Sequence, residues 1–385
     1  MKKLMLAVLA AATITNIYAE RLSPRIGITR KPKNEVNFSI LTINMGLLAL
    51  TTDILQDLGG DELKKIGAED IVKNILNIFG LGGSTKLMEV GKLKHNKERA
   101  LLLSETLKRL QREGKLPGIV LMQEGFDVPV VKNDFYKAMS SVYPYHYQDE
   151  RAGRVTVDAR GKKIKLPIGT NSGLSLFSMY PLKKVQVWDY ECFVGEGAFA
   201  RKGLLGAEVN INGQTVYVFT THLQAGVGAE PFKFLNKENL LPTQCKLDGK
   251  LIDPKTQKLT TDDVRKAELQ QAAQLINQFA TDKKAPVILA GDFNMNANDP
   301  KKIETIKSVF PQAELLYNAG KSAPHTGTVW NVTNKKLDEG NRIDHMIIIR
   351  NPGNRLTGDA WIDAINFTWQ ISDHAAMIGE FSLQK

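Results

Sequence analysis

Six short apolar runs, each carrying a carboxylate, an amide or an imidazole at one end, constrain this chain more than any other feature. Asn44 closes Ser39-Ile40-Leu41-Thr42-Ile43-Asn44, and Glu124 closes Ile119-Val120-Leu121-Met122-Gln123-Glu124. His222 ends Val218-Phe219-Thr220-Thr221-His222, while Asp292 and Asn294 end Ile288-Leu289-Ala290-Gly291-Asp292-Phe293-Asn294. Asp344 follows Arg342-Ile343, and Asp373-His374 stand just before the last apolar segment. A single Asp after a strand is an ordinary turn or helix-cap residue. Six strands that each deliver such a group at one end describe a rigid sheet presenting a reactive surface.

The apolar runs themselves have β character. Phe38–Ile43, Ile119–Met122, Leu174–Phe177, Leu204–Ile211, Val216–Thr221, Val287–Ala290 and Met346–Ile349 are short, and several alternate with period two. Ile211-Asn212-Gly213-Gln214 joins two of them through an Asn-Gly pair, whose tolerance of positive φ predicts a type I′ hairpin. Helical spacing of apolar residues predicts helices over Lys97–Leu110 and Val264–Phe279. Hairpins mixed with a few helices predict sheets covered by helices, an α/β or α+β sandwich. One segment, 47–93, reads as an insertion. Within it Ala68–Phe79 lines Ile71, Val72, Ile75, Leu76 and Phe79 along one helix face before Gly80-Leu81-Gly82-Gly83 breaks the pattern. It serves either as a packed helical cap or as a lid or membrane-contacting element beside the site.

Compartment follows from the first residues. Lys2 and Lys3, an apolar run from Leu4 to about Ala12, and the close Ile17-Tyr18-Ala19 form a secretory signal over 1–19. The alternative is a buried N-terminal helix; the run is too short to span a bilayer, and no later stretch approaches a membrane span. The expected product is a secreted or periplasmic protein, 20–385 forming a single catalytic domain around the insertion. The net charge is +10, of which Lys2 and Lys3 hold two, leaving +8 to attract polyanions, whether nucleic acid or an anionic membrane. Hydrophobic residues make up 43% of the chain, which excludes disorder as the default. Cys192 and Cys245 are its two cysteines, a disulfide in an oxidising compartment or else two buried thiols.

The residue types at the strand ends suit phosphodiester hydrolysis. Glu124 and Asn44 offer the oxygen ligands that Mg²⁺ prefers. No Cys/His cluster suits structural zinc. His374 can take a proton from water if a carboxylate fixes its tautomer, and Asp344 is the candidate.

Leu289-Ala290-Gly291-Asp292-Phe293-Asn294, Arg342-Ile343-Asp344 and Ser372-Asp373-His374, in this order, resemble the endonuclease/exonuclease/phosphatase superfamily from about Asn37 to the C-terminus, the insertion apart. The resemblance implies a DNase-like four-layer sandwich, two packed mixed sheets flanked by helices. It implies that Glu124, Asn44 and Asp373 hold or adjoin Mg²⁺, with Mn²⁺ or Co²⁺ as substitutes. Asp292 and Asn294 would position the phosphate and the attacking water, Asp344 would orient His374 as general base, and His222 would polarise a non-bridging oxygen. Asn171 would contact the phosphate.

Within that superfamily the chain is most similar to the neutral sphingomyelinases. Asn171-Ser172-Gly173-Leu174, Phe177-Ser178-Met179-Tyr180-Pro181, Ala200-Arg201-Lys202-Gly203, Thr221-His222-Leu223-Gln224-Ala225 and His325-Thr326-Gly327-Thr328 carry this likeness. It also places Cys192 and Cys245 in regions where secreted bacterial members carry a disulfide. The implied activity is cleavage of sphingomyelin to ceramide and phosphocholine at a phospholipid membrane surface by a monomer. An exported nuclease and a phosphoinositide phosphatase are the alternatives. Three departures stand out: His345 where a Tyr is usual, Gly125 where a larger residue is common, and the unmatched insertion.

Overall fold

Alternation of apolar side chains along each strand divides the core into an inner layer between two sheets and an outer layer under helices. The computed structural model describes residues 35–45, 96–125, 134–149, 151, 155–157, 163–165, 171–194, 201–225, 245–252, 259–320, 330–331, 336–337, 342–363, 372 and 374–385. The expected leader 1–19, the insertion 47–93, the segment 325–328 and Asp373 lie outside the described residues.

Twelve strands build the sheets: β1 (Glu35–Asn44), β2 (Ile119–Gln123), β3 (Tyr145–Gln148), β4 (Ser175–Ser178), β5 (Leu182–Asp189), β6 (Gly203–Ile211), β7 (Gln214–His222), β8 (Val287–Asp292), β9 (Glu314–Leu315), β10 (Asp344–Arg350), β11 (Leu356–Asp363) and β12 (Ala376–Gln384). One six-stranded sheet has the order β11-β12-β1-β2-β4-β3, and the other β9-β10-β8-β7-β6-β5. Both are mixed: β1 runs parallel to β2 and β7 parallel to β8, while the flanking pairs are antiparallel. Parallel neighbours need a crossover. Helix α1 (Asn96–Arg112) lies on the first, and α3 (Thr261–Phe279) on the second. Two shorter helices are α2 (Asp134–Ser140) and α4 (Pro300–Val309).

Phe38 and Ile40 of β1, Leu121 of β2, Val218 of β7, Ile288 of β8 and Met346 of β10 meet between the sheets. Their neighbours point outward. Leu41, Ile43, Val120 and Met122 pack under Leu103, Leu107 and Met139 of α1 and α2. Phe219, Leu289 and Ile347 pack under Leu269, Ile276 and Phe279 of α3. The result is the expected four-layer sandwich. Thr260 caps α3 in a reciprocal box with Asp263, satisfying two otherwise orphaned donors. The Asn-Gly hairpin forms as expected, with φ of 51° at Asn212 and 90° at Gly213. Among the described residues, no helix is long and apolar enough to cross a membrane.

Cys192 and Cys245 are disulfide-bonded across 53 residues, which resolves the alternative of two free thiols. The bond sits in its own apolar cluster with Ile252, Leu259, Val264 and Ala267, against the first turns of α3. Closing a loop of this length in the unfolded chain stabilises the fold by roughly 4 kcal/mol on chain-entropy grounds. A Cys192→Ala/Cys245→Ala variant is therefore expected to lose about 2–4 kcal/mol of unfolding free energy in urea titrations.

Candidate active site

Strand register assembles the site before any side-chain contact is considered. In the second sheet Asp292 of β8 pairs with His222 of β7 on one side and with Asp344 of β10 on the other. In the first sheet Asn44 of β1 pairs with Gln123 of β2, which brings it beside Glu124. Asn44, His222, Asp292 and Asp344 continue the inner faces of their strands, and Glu124 follows the end of β2 at a left-handed φ of 52°. Gly291 permits the tight approach of β8 to β7: a Cβ there would stand 2.1 Å from the Thr221 carbonyl oxygen, and its φ is 148°.

The two sheet ends then meet through hydrogen bonds. Asn44 Nδ2 donates to Glu124 Oε1 at 3.1 Å and to Asp292 Oδ2 at 2.9 Å. His222 Nε2 lies 3.6 Å from each of those carboxylate oxygens. Glu124, His222 and Asp292 each place one donor atom within 4.8 Å of the others, and so do Asp292, Asp344 and His374, with Asp292 common to both groups. His374 Nδ1 is 2.9 Å from Asp344 Oδ2. Ser372 Oγ donates to the Asn44 carbonyl and accepts from His374 N at 3.0 Å, tying the His374 loop to β1. Asn294 turns back through a left-handed φ of 51°, its backbone N–H on Asp292 Oδ1 at 2.8 Å and its Nδ2 on the Leu223 carbonyl at 3.0 Å. Thus Asn44, Glu124, His222, Asp292, Asn294, Asp344 and His374 form one constellation.

Asn171 stands at the same end of the first sheet, because Gly173 O accepts from Gly125 N. Its amide serves the loop: Nδ2 donates to Asp149 O at 2.5 Å and Oδ1 accepts from Gly173 N at 3.1 Å. A Cβ at Gly125 would meet the flexible end of the Met122 side chain at 2.9 Å and the Gly173 carbonyl oxygen at 3.4 Å. Asp149 anchors this loop, accepting from Ser172 N and from Arg151 at 2.7 Å. Burial alone would raise its carboxyl, but the Arg151 guanidinium outweighs burial and holds it below the usual carboxylate range.

Glu124 is the most open of the metal-type ligands, its side chain 18% exposed against 1–2% for His222 and Asp292. The oxygen-rich set of Glu124, Asp292 and the Asn44 amide, with acidic Asp344 alongside, fits a hard divalent cation. The Glu124 and Asp292 carboxylates converge on the Asn44 amide and concentrate negative charge that such an ion would neutralise. Asp292 stands with Glu124 in a group that could hold a metal ion, beside the Glu124, Asn44 and Asp373 that the resemblance implied.

One functional side chain that the sequence reading left without a role is Lys202. It is almost fully buried, and its Nζ donates to His222 Nε2 at 2.9 Å and to Leu223 O at 2.8 Å. Burial first, then the positive charge of Lys202, then His374, holds the His222 pKa well below its ordinary value, so this imidazole is neutral near pH 7. A lysine at the start of an apolar strand was the available signal.

His345, the departure noted in the sequence, faces outward from β10. Its ring packs on Phe293 at 4.9 Å between centroids, and Nε2 donates to Met295 O at 2.6 Å. Burial pushes its pKa down to about 4. Because the folded value lies below the unfolded one near 6.5, this group's contribution is complete above pH 6.5 and lost as pH falls toward 4. The expected fall from pH 7 to 4.5 is about 2–3 kcal/mol of unfolding free energy. A His345→Gln variant should show a correspondingly shallower decline in urea unfolding.

The beta toxin variant from Staphylococcus aureus solved with bound magnesium ions is 13% identical over 91% of this chain and 100% of its own, at a TM-score of 0.54. Sphingomyelinase C from Streptomyces griseocarneus is 14% identical over 89% of this chain and 99% of its own, at 0.52. SmcL is 15% identical over 91% and 99%, also at 0.52. These likenesses establish the shared fold. Comparison with curated proteins gives no match. Residues 76–374 match the Endonuclease/Exonuclease/phosphatase family, a span that holds Glu124, His222, Asp292, Asp344 and His374, and the chain belongs to that family.

Proposed function

We propose that this protein is an exported, Mg²⁺-dependent phosphodiesterase that hydrolyses a sphingomyelin-type phospholipid to ceramide and phosphocholine. The observation that carries the reading is that the His374–Asp344 pair and the Glu124–Asn44 group share Asp292 in one buried constellation. A general base and an oxygen-ligand cluster lie a few ångströms apart, as metal-assisted hydrolysis requires.

When bound, Mg²⁺ polarises the phosphoryl oxygen and offsets its charge. Glu124, Asn44 and Asp292 would hold it, with Asp373, which lies outside the described residues, as the further ligand that the resemblance implies. Asp344 fixes His374 with Nδ1 engaged, so the ring takes the water proton at Nε2. Asn294 and Asp292 orient that water and the phosphate. His222, neutral and backed by the Lys202 cation, forms the polar wall against the non-bridging oxygens, and Asn171 shapes the adjoining loop. The lipid preference is supported by the leader-like first residues, the disulfide, and the likeness in fold to a sphingomyelinase.

Purified protein with Mg²⁺ should release phosphocholine from sphingomyelin vesicles, and EDTA should stop the release. Plasmid nicking that matches or exceeds lipid cleavage would replace this reading by the nuclease one. Faster release of inorganic phosphate from phosphoinositides would replace it by the phosphatase one.

A further inference from the structure

We infer that Gln123 is a positioning residue, a polar strut that joins the two sheets directly beneath the site and holds Glu124 in place against His222 and Asp292. This rests on the metal-assisted reading above and extends it to a residue that offers no ligand.

The inner faces of the strands are apolar until the rung below the site. There, three polar side chains meet. Gln123 Nε2 donates to Thr220 Oγ1 of β7 at 2.7 Å, to Thr42 Oγ1 of β1 at 3.0 Å and, more weakly, to Leu121 O at 3.3 Å. Thr42 lies two residues before Asn44, and Thr220 two residues before His222. Residues two apart share a strand face, so each threonine is the rung supporting a site residue. Gln123 itself is bonded to Glu124 through the chain. One amide therefore links the supports of Asn44, His222 and Glu124 across the gap between the sheets.

Packing does not explain its presence. Gln123 is fully buried, and its Oε1 has no hydrogen-bond partner among the described residues. A buried acceptor without a donor destabilises the fold, whereas an apolar side chain of similar length would fill the same space without that penalty. Apolar contacts are also non-directional and let two sheets slide. A 2.7 Å hydrogen bond between them does not. The residue it steadies needs steadying: Glu124 sits at a φ of 52°, a left-handed conformation that a glutamate holds only when its surroundings impose it. Supporting side chains behind metal ligands typically set metal affinity or activity by about 10–100-fold.

The test uses full-length protein carrying Gln123→Met, Thr220→Val or both. Mg²⁺ binding is measured by titration calorimetry, thermal unfolding in EDTA, and kcat and KM on sphingomyelin vesicles. The expected result for Gln123→Met is Mg²⁺ affinity and kcat each reduced about 10–100-fold, KM changed less, and cooperative unfolding somewhat below the wild-type temperature, because the Thr42 and Thr220 hydroxyls lose their partner. The double variant should bind Mg²⁺ no more weakly than Gln123→Met alone, because the bond that Thr220→Val removes is already gone in it. If Gln123→Met unfolds early, Thr220→Val carries the test alone, since it deletes a single hydroxyl. Wild-type Mg²⁺ affinity and kcat in both singles, or losses that simply add, would overturn the strut. Wild-type protein that binds no Mg²⁺ would instead overturn the functional reading beneath it.

Discussion

Replacing His374 by alanine is expected to lower phosphodiester hydrolysis by about 10²–10⁴-fold, the contribution of a well-placed general base, while far-ultraviolet circular dichroism stays unchanged. His374 is almost fully buried, so loss of the fold is checked by the same spectrum. Its role depends on orientation. Nδ1 meets Asp344 Oδ2 at 2.9 Å, so in the proposed mechanism the opposite nitrogen takes the water proton. Asp344→Asn preserves shape but can present an N–H to Nδ1 and so favour the wrong tautomer. A loss of similar order, with KM nearly unchanged, would show that the two residues act as a unit. Full activity in His374→Ala would remove the general base from the scheme.

Glu124→Gln is expected to act through the metal. The substitution keeps size and removes one negative charge from the most open ligand of the cluster, whose Oε1 already accepts from Asn44. Metal assistance of this kind is worth several kcal/mol of transition-state stabilisation, and each 1.4 kcal/mol is tenfold in rate. The variant should therefore lose about 10³-fold or more in kcat at Mg²⁺ concentrations that saturate the wild type. Raising Mg²⁺ should recover part of the loss, which separates a weakened ligand from a broken fold. An unchanged Mg²⁺ dependence would move the metal away from Glu124.

Much of this site was legible in the chain because its residues end apolar strands, and strand ends are visible wherever period-two alternation stops. Asn44, Glu124, His222, Asp292 and Asp344 were found that way, and register then brought them together. The edge strand Leu182–Asp189 was not read, since its exposed face carries Lys183, Lys184 and Gln186; edges are polar so that they do not pair further. Lys202 went without a role for a different reason. Its partner His222 lies 20 residues away, and only the antiparallel pairing of Leu204 with Thr221 sets them side by side. Gln123 likewise looks like the last residue of a strand until the opposite sheet supplies Thr220. Asn171, for which the resemblance implied a phosphate contact, also has its amide hydrogen-bonded to the loop backbone of Asp149 and Gly173, the first of these a bond across 22 residues that spacing does not reveal. Contacts across sheets leave no periodic trace, so composition and spacing reach the sheet ends but not the links between them.

Crystals of the protein grown with Mn²⁺ in place of Mg²⁺ and measured at the manganese absorption edge would locate the ion directly. The account predicts one anomalous peak bound by the Glu124 carboxylate, on the side that faces Asp292 and Asn44. A peak elsewhere on the surface, with none beside Glu124, would contradict it.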